Sequence, residues 1–288
     1  MSDYRRVLIP VDLTPGRQMM APAVRRIVDT NDAEITLLHV VESQPWLGRA
    51  GNTLRLMNEL DILAHRRFRG ARLVRRIEWG RPADCILNVL RTDRLDAVLM
   101  TSGGSSLSND PLGPVASEVI NEAACPVLLE WPVTAPVNQA RAQPVCCALE
   151  LDGSEARVLR EAAWAAKRCA ADLILICPFT IAGARAAVLL EPEARVREIA
   201  RVRERLEALR DRFAPGAAIE VEPGHPSSVV SRRLRLHGAG LLVAGGSRES
   251  LLAAESQCPV LYIGAARERH SARPEAVERY EIAVGRSA

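Results

Sequence analysis

Apolar residues in this chain fall into short unbroken runs, separated by stretches with helical spacing. Arg6–Asp12, Glu34–Val41, Asp96–Thr101 and Val127–Leu129 are apolar runs with little polar alternation, and Arg72–Trp79 reads as a further strand. Such runs are expected of parallel strands covered on both faces. Pro10 lacks an N–H, which places it near a strand end or unpaired on one side. Between the runs, Met20, Val24, Ile27 and Val28 keep helical spacing, and Met57, Leu60 and Ala64 mark a helix over 53–67 after a loop at 43–52. A third helix follows Gly80-Arg-Pro, and a fourth opens near Pro114. The alternation βαβαβαβαβ predicts an α/β fold with a doubly wound parallel sheet.

The pattern then starts again. A Pro-containing stretch, 132–143, reads as a linker between a first repeat (1–131) and a second (144–264), with a mixed Arg/Glu tail at 265–288. In the second repeat, Val145–Leu151 ends in Asp152-Gly-Ser. A helix carrying Val158, Ala162, Ala165 and Cys169 follows, then strands at 172–177 and 217–222 flank a long helix at 193–213. The stretch Asp96–Leu129, a strand, a Gly/Ser loop, a helix and a strand, has a shortened copy. Gly240–Glu249 answers Asp96–Ser105 at an offset of 144, whereas Cys258-Pro-Val-Leu answers Cys125-Pro-Val-Leu at 133. The second copy has therefore lost eleven residues, the difference of those offsets, between strands four and five. A short connection near 249–256 should join them, with the fourth helix missing or reduced to about a turn.

Composition changes this picture little. The chain has 288 residues, 48% hydrophobic and 25% charged, with net charge +3. Of 38 basic residues only Lys167 is a lysine, and arginines interleave with acids. With 3% aromatics there is no basic stripe with stacking rings, which argues against nucleic-acid binding. No segment has a signal-peptide layout or the roughly 18 apolar residues of a membrane span. Seven cysteines, an odd number without paired spacing, suit a reducing cytoplasm.

The residues VLIPVD (7–12), AEITLLHVVE (33–42), WGRPAD (79–84), DAVLMTSGG (96–104), LGPVASEVI (112–120) and CPVLL (125–129) carry a resemblance. So do their second-half counterparts ELDGSE (150–155), ADLILI (171–176), GHPSSVV (224–230), GLLVAGGSR (240–248) and CPVLYIG (258–264). The chain resembles a tandem member of the universal stress protein family. That resemblance implies two Rossmann-like, adenine nucleotide alpha hydrolase-like domains forming an intrachain pseudo-dimer through antiparallel fifth strands. In the family's nucleotide-binding branch, a first-strand acid meets adenine or ribose, a backbone group late in strand two holds the base, and a Gly-x2-Gly-x9-Gly-Ser/Thr loop cradles phosphates. Carried over, the implied positions are Pro10, Val11, Asp12, Val40, Gly103, Gly104 and Gly113 in repeat one. In repeat two they are Asp152, Gly245 and Gly246.

The loop departs from that pattern. Either Met100 or Thr101 stands where its first glycine belongs, and Pro114 replaces the final Ser/Thr, removing a hydroxyl and an N–H. Repeat one then reads as an impaired nucleotide site, and repeat two as one with no room for ATP phosphates. Asp12 and Asp152 have a competing role as helix caps. Ser102–Ser106 differs from the SGG-x-DS loop of ATP pyrophosphatases, which follows strand one and carries an Asp. Histidines 39, 65, 225, 237 and 270 have no zinc spacing with the cysteines, His39 reads as a core residue, and adjacent Cys146 and Cys147 face opposite ways. No nucleophile–base pair appears. The reading is a non-catalytic, cytoplasmic stress-response protein acting through protein partners. The alternative is a sensor binding ATP or AMP in repeat one through Asp12 and the 100–113 loop.

Overall fold

The computed structural model describes residues 4–13, 27–28, 33–42, 49–68, 71–102, 110–131, 143–179, 192–255 and 257–264. The chain divides at Glu130/Trp131 into two compact units. The N-terminal unit contains β1 (Arg6–Pro10), β2 (Glu34–Val41), α1 (Arg49–Arg67), β3 (Arg72–Trp79), α2 (Pro82–Thr92), β4 (Ala97–Thr101), α3 (Pro114–Glu122) and β5 (Val127–Glu130). Its strands are parallel, in the order β3-β2-β1-β4-β5. The core is the strand interior together with helix faces: Leu8, Ile35, Leu37, Leu38 and Val98 are almost wholly buried, as are Leu60, Val89 and Val119 from the helices. Helix α1 begins four residues before the spacing of apolar side chains predicts, carrying Gly51 near its start. The first-turn N–H groups have no intrahelical partner in any case, so glycine disrupts little there.

The C-terminal unit contains β6 (Val145–Ala148), α4 (Glu155–Cys169), β7 (Leu173–Phe179), α5 (Pro192–Phe213), β8 (Ala218–Pro223), α6 (Pro226–His237), β9 (Leu241–Gly245), α7 (Arg248–Leu252) and β10 (Val260–Ile263). Its parallel strands run β8-β7-β6-β9-β10, the same order counted from its own first strand. The registers repeat as well. Thr101 faces Glu130 across β4–β5, and Gly245 faces Ile263 across β9–β10, which reproduces the offsets of 144 and 133. Gly80 (φ 145°) donates its N–H to the Val41 carbonyl at 3.1 Å. Gly224 (φ 149°) does the same to Phe179, also at 3.1 Å. Between strands four and five, α3 has nine residues and α7 has five.

In a sheet of this order the connections run opposite ways from the first and fourth strands, which leaves a crevice at their C-terminal ends. For the N-terminal unit that point lies after Pro10 and Thr101. For the C-terminal unit it lies after Ala148 and Gly245.

Candidate functional site

In the N-terminal unit the β1–β4 ladder pairs Val7 with Ala97 and Leu8 with Val98. Val11 sends its N–H to Leu38 on β2, at 2.8 Å. N–H directions alternate along a strand, so position 10 faces β4, where proline has no donor to offer. In the C-terminal unit Ala148 occupies the same register position, and the β6–β9 ladder runs on through Ala148 and Ala244.

Of the implied ligand positions, Pro10 and Val40 are half-buried, Val11 is buried and Asp12 is exposed just past β1. Val40 sits opposite Glu78 in the β2–β3 register. Gly103 and Gly104 lie outside the described residues. His39, read from the sequence as a core residue, is half-buried, and its Nδ1 lies 3.0 Å from the Val11 carbonyl. That carbonyl can only accept, so Nδ1 carries the proton and the ring steadies the backbone directly before Asp12.

Gly113 adopts φ 78°, ψ 161° and feeds α3, whose first residue is Pro114. Two donors flanking this helix start are held by an acid of the chain itself. Asp110 accepts from the Leu112 N–H at 3.1 Å and from the Ser117 hydroxyl at 2.5 Å, and its carbonyl accepts the Gly113 N–H at 3.2 Å. A carboxylate beside a helix N-terminus is favoured by the helix dipole. A phosphate arriving there would meet that resident charge.

The second crevice is filled differently. The sequence pairs Asp152 with Asp12, and the register corrects this. Val11 and Leu149 make the same bond to their second strands, at 2.8 and 2.9 Å, so the counterpart of Asp12 is Glu150. Strand β6 stops at Ala148, three residues short of its apolar run, and Asp152 falls in the following turn. There its Oδ1 accepts from the Ser154 N–H at 2.9 Å and hydroxyl at 2.7 Å, an Asx turn leading into α4.

Glu150 reaches across the switch point. Its Oε1 accepts from the Ser247 hydroxyl at 2.5 Å and the Ser250 hydroxyl at 2.8 Å, and its Oε2 from the Ser247 N–H at 3.2 Å. Gly245 and Gly246 serve packing here. A Cβ on Gly245 would stand 2.5 Å from the Val158 methyl on α4. One on Gly246 (φ 82°) would stand 2.7 Å from Asp152 Oδ2. Tyr262 on β10 donates its hydroxyl to the Gly246 carbonyl at 2.7 Å. Burial raises its pKa, the Glu150 and Asp152 charges raise it further, and Arg248 opposes them.

The model of the Universal stress protein family matches residues 3–129. A universal stress protein of Methanocaldococcus jannaschii is 29% identical over an alignment covering 44% of this chain and 81% of that one. Among solved structures, the chain is similar to a Pseudomonas aeruginosa protein of unknown function. That likeness has a TM-score of 0.62 at 15% identity and covers 91% of this chain and 93% of that one. A universal stress protein of Archaeoglobus fulgidus gives 0.60 at 17% identity, over 91% and 98%. At such identities the structural likeness establishes the fold, the adenine nucleotide alpha hydrolase-like arrangement.

Proposed function

Because residues 3–129 belong to the universal stress protein family, we propose that the chain is a non-catalytic regulator of the stress response that acts by binding protein partners. Its N-terminal unit holds an impaired nucleotide site and its C-terminal unit holds none for ATP. The observation that carries this reading is the start of α3, where Pro114 offers no donor and Asp110 already engages the Leu112 N–H and the Ser117 hydroxyl. Each lost donor to a charged ligand weakens binding by about 1.5–3 kcal/mol. Two losses amount to several orders of magnitude in affinity. No described helix is long and apolar enough to cross a membrane. All seven cysteines are free thiols, which supports a reducing, cytoplasmic setting.

A second reading, a sensor of ATP or AMP, is favoured by one feature. The β1–β4 ladder stops before Pro10, and Asp12 stands exposed at that point. Equilibrium dialysis with labelled ATP and AMP separates the two. The first reading expects no saturation at micromolar nucleotide in the parent chain or in Asp12→Ala. Micromolar binding that disappears in Asp12→Ala would replace it with the second.

A further inference from the structure

Both oxygens of Glu150 are engaged by residues about a hundred positions away in sequence: two of the three donors belong to Ser247 in the β9–α7 turn and the third to Ser250 in α7. Ser250, one of those donors, is wholly buried. The backbone at Gly246 lies against the acids so closely that a Cβ there would stand 3.3 Å from Glu150 Oε2 and 2.7 Å from Asp152 Oδ2. From β10, the Tyr262 hydroxyl holds the same residue by its carbonyl. The turn is therefore gripped from the strands on both sides of β9.

We propose that Glu150 is an internal ligand of the C-terminal unit. It is a positioning residue whose carboxylate orders the β9–α7 turn as a bound anion orders a glycine-rich loop, and it keeps the unit closed with no external ligand. Charge-assisted hydrogen bonds are the stronger kind, and here three converge on one side chain. The counterpart position in the other unit, Asp12, is exposed. The inference goes beyond the nucleotide reading above, and its test uses no nucleotide, so the two fail separately.

The test is hydrogen–deuterium exchange on the full chain, read in peptides covering 245–252. In Glu150→Ala, exchange there rises by about tenfold or more, while peptides from β6, β7 and β8 keep parental rates. The double variant Ser247→Ala/Ser250→Ala removes two of the donors from the opposite side and gives the same local rise. Glu150→Gln keeps a carbonyl oxygen as acceptor and falls between parent and Glu150→Ala. Unchanged exchange in Glu150→Ala overturns the proposal. So does a rise spread evenly over the unit, which would make Glu150 one more contributor to global stability. Should Glu150→Ala not fold, the serine double variant is judged by the same two outcomes.

Discussion

Gly245 has no side chain because α4 leaves no space for one. A methyl group there would stand 2.5 Å from Val158 Cγ2 and 3.0 Å from the Ile263 carbonyl oxygen, on a strand whose residues are all buried. Gly245→Ala is therefore expected to destabilise the C-terminal unit by about 1–3 kcal/mol, the usual cost of overpacking. Urea unfolding measures this, and a cost within 0.5 kcal/mol, the scale of about a neutral surface change, would show that α4 and β9 separate easily. From the sequence, Gly245 and Gly246 read as remnants of a phosphate loop, because a glycine pair after a buried strand looks the same whether it approaches a ligand or a helix. The role of Glu150 was illegible for a related reason. Its partners Ser247 and Ser250 lie 97 and 100 residues away, and nothing local to ELDGSE announces them. Asp152 drew attention instead, although β6 ends at Ala148 and the last acid in the motif lies in the turn beyond it.

Elements are tied to one another by a polar pair in both units, with the acid on opposite elements. In the N-terminal unit Arg76 on β3 is buried to 2% exposure, with Glu78 at 2.6 Å and Asp93, just past α2, at 2.5 Å. The same positions in the C-terminal unit carry Glu220 on β8 and His237 at the end of α6, 3.0 Å apart. Each edge strand is thereby fastened to the helix that follows it. The surroundings differ, since the side chains of Glu220 and His237 retain 24% and 23% exposure. Asp93→Ala leaves a guanidinium buried with one partner fewer and should cost about 3 kcal/mol, whereas His237→Ala should cost about 1 kcal/mol or less. Equal costs in urea unfolding would contradict this view of burial. The order of elements was legible from apolar runs and helical spacing, because a buried parallel strand has little freedom in composition. Which of the two positions carried the acid was not legible, because either arrangement closes the pair.

Across the whole molecule the thiols set an alkaline limit. Burial is the leading cause at six of the seven thiols. It pushes Cys85 and Cys125 up to about 11 and Cys146 and Cys177 up to about 12, and it raises Cys147 and Cys258 further. These groups are neutral when protonated, and their folded pKa lies above the ordinary value of 9.0. Their contribution is complete below about pH 9 and is lost as pH rises toward the folded values, since the unfolded chain releases the protons first. With one lysine and three tyrosines in 288 residues, few other side chains titrate in that window. The melting temperature should hold steady from about pH 7 to 8.5 and fall steeply by about pH 10.5. A flat profile to that pH would mean the cysteines ionise freely in the fold. The repeated registers have a consequence for measurement. Gly80 and Gly224 share one backbone shape and one hydrogen bond, yet a Cβ would meet Cys85 Sγ at 3.2 Å in one unit and Val229 Cγ2 at 2.9 Å in the other. Matched substitutions at such pairs test one backbone in two side-chain settings, so the chain supplies its own replicate, and each difference isolates what the neighbours contribute.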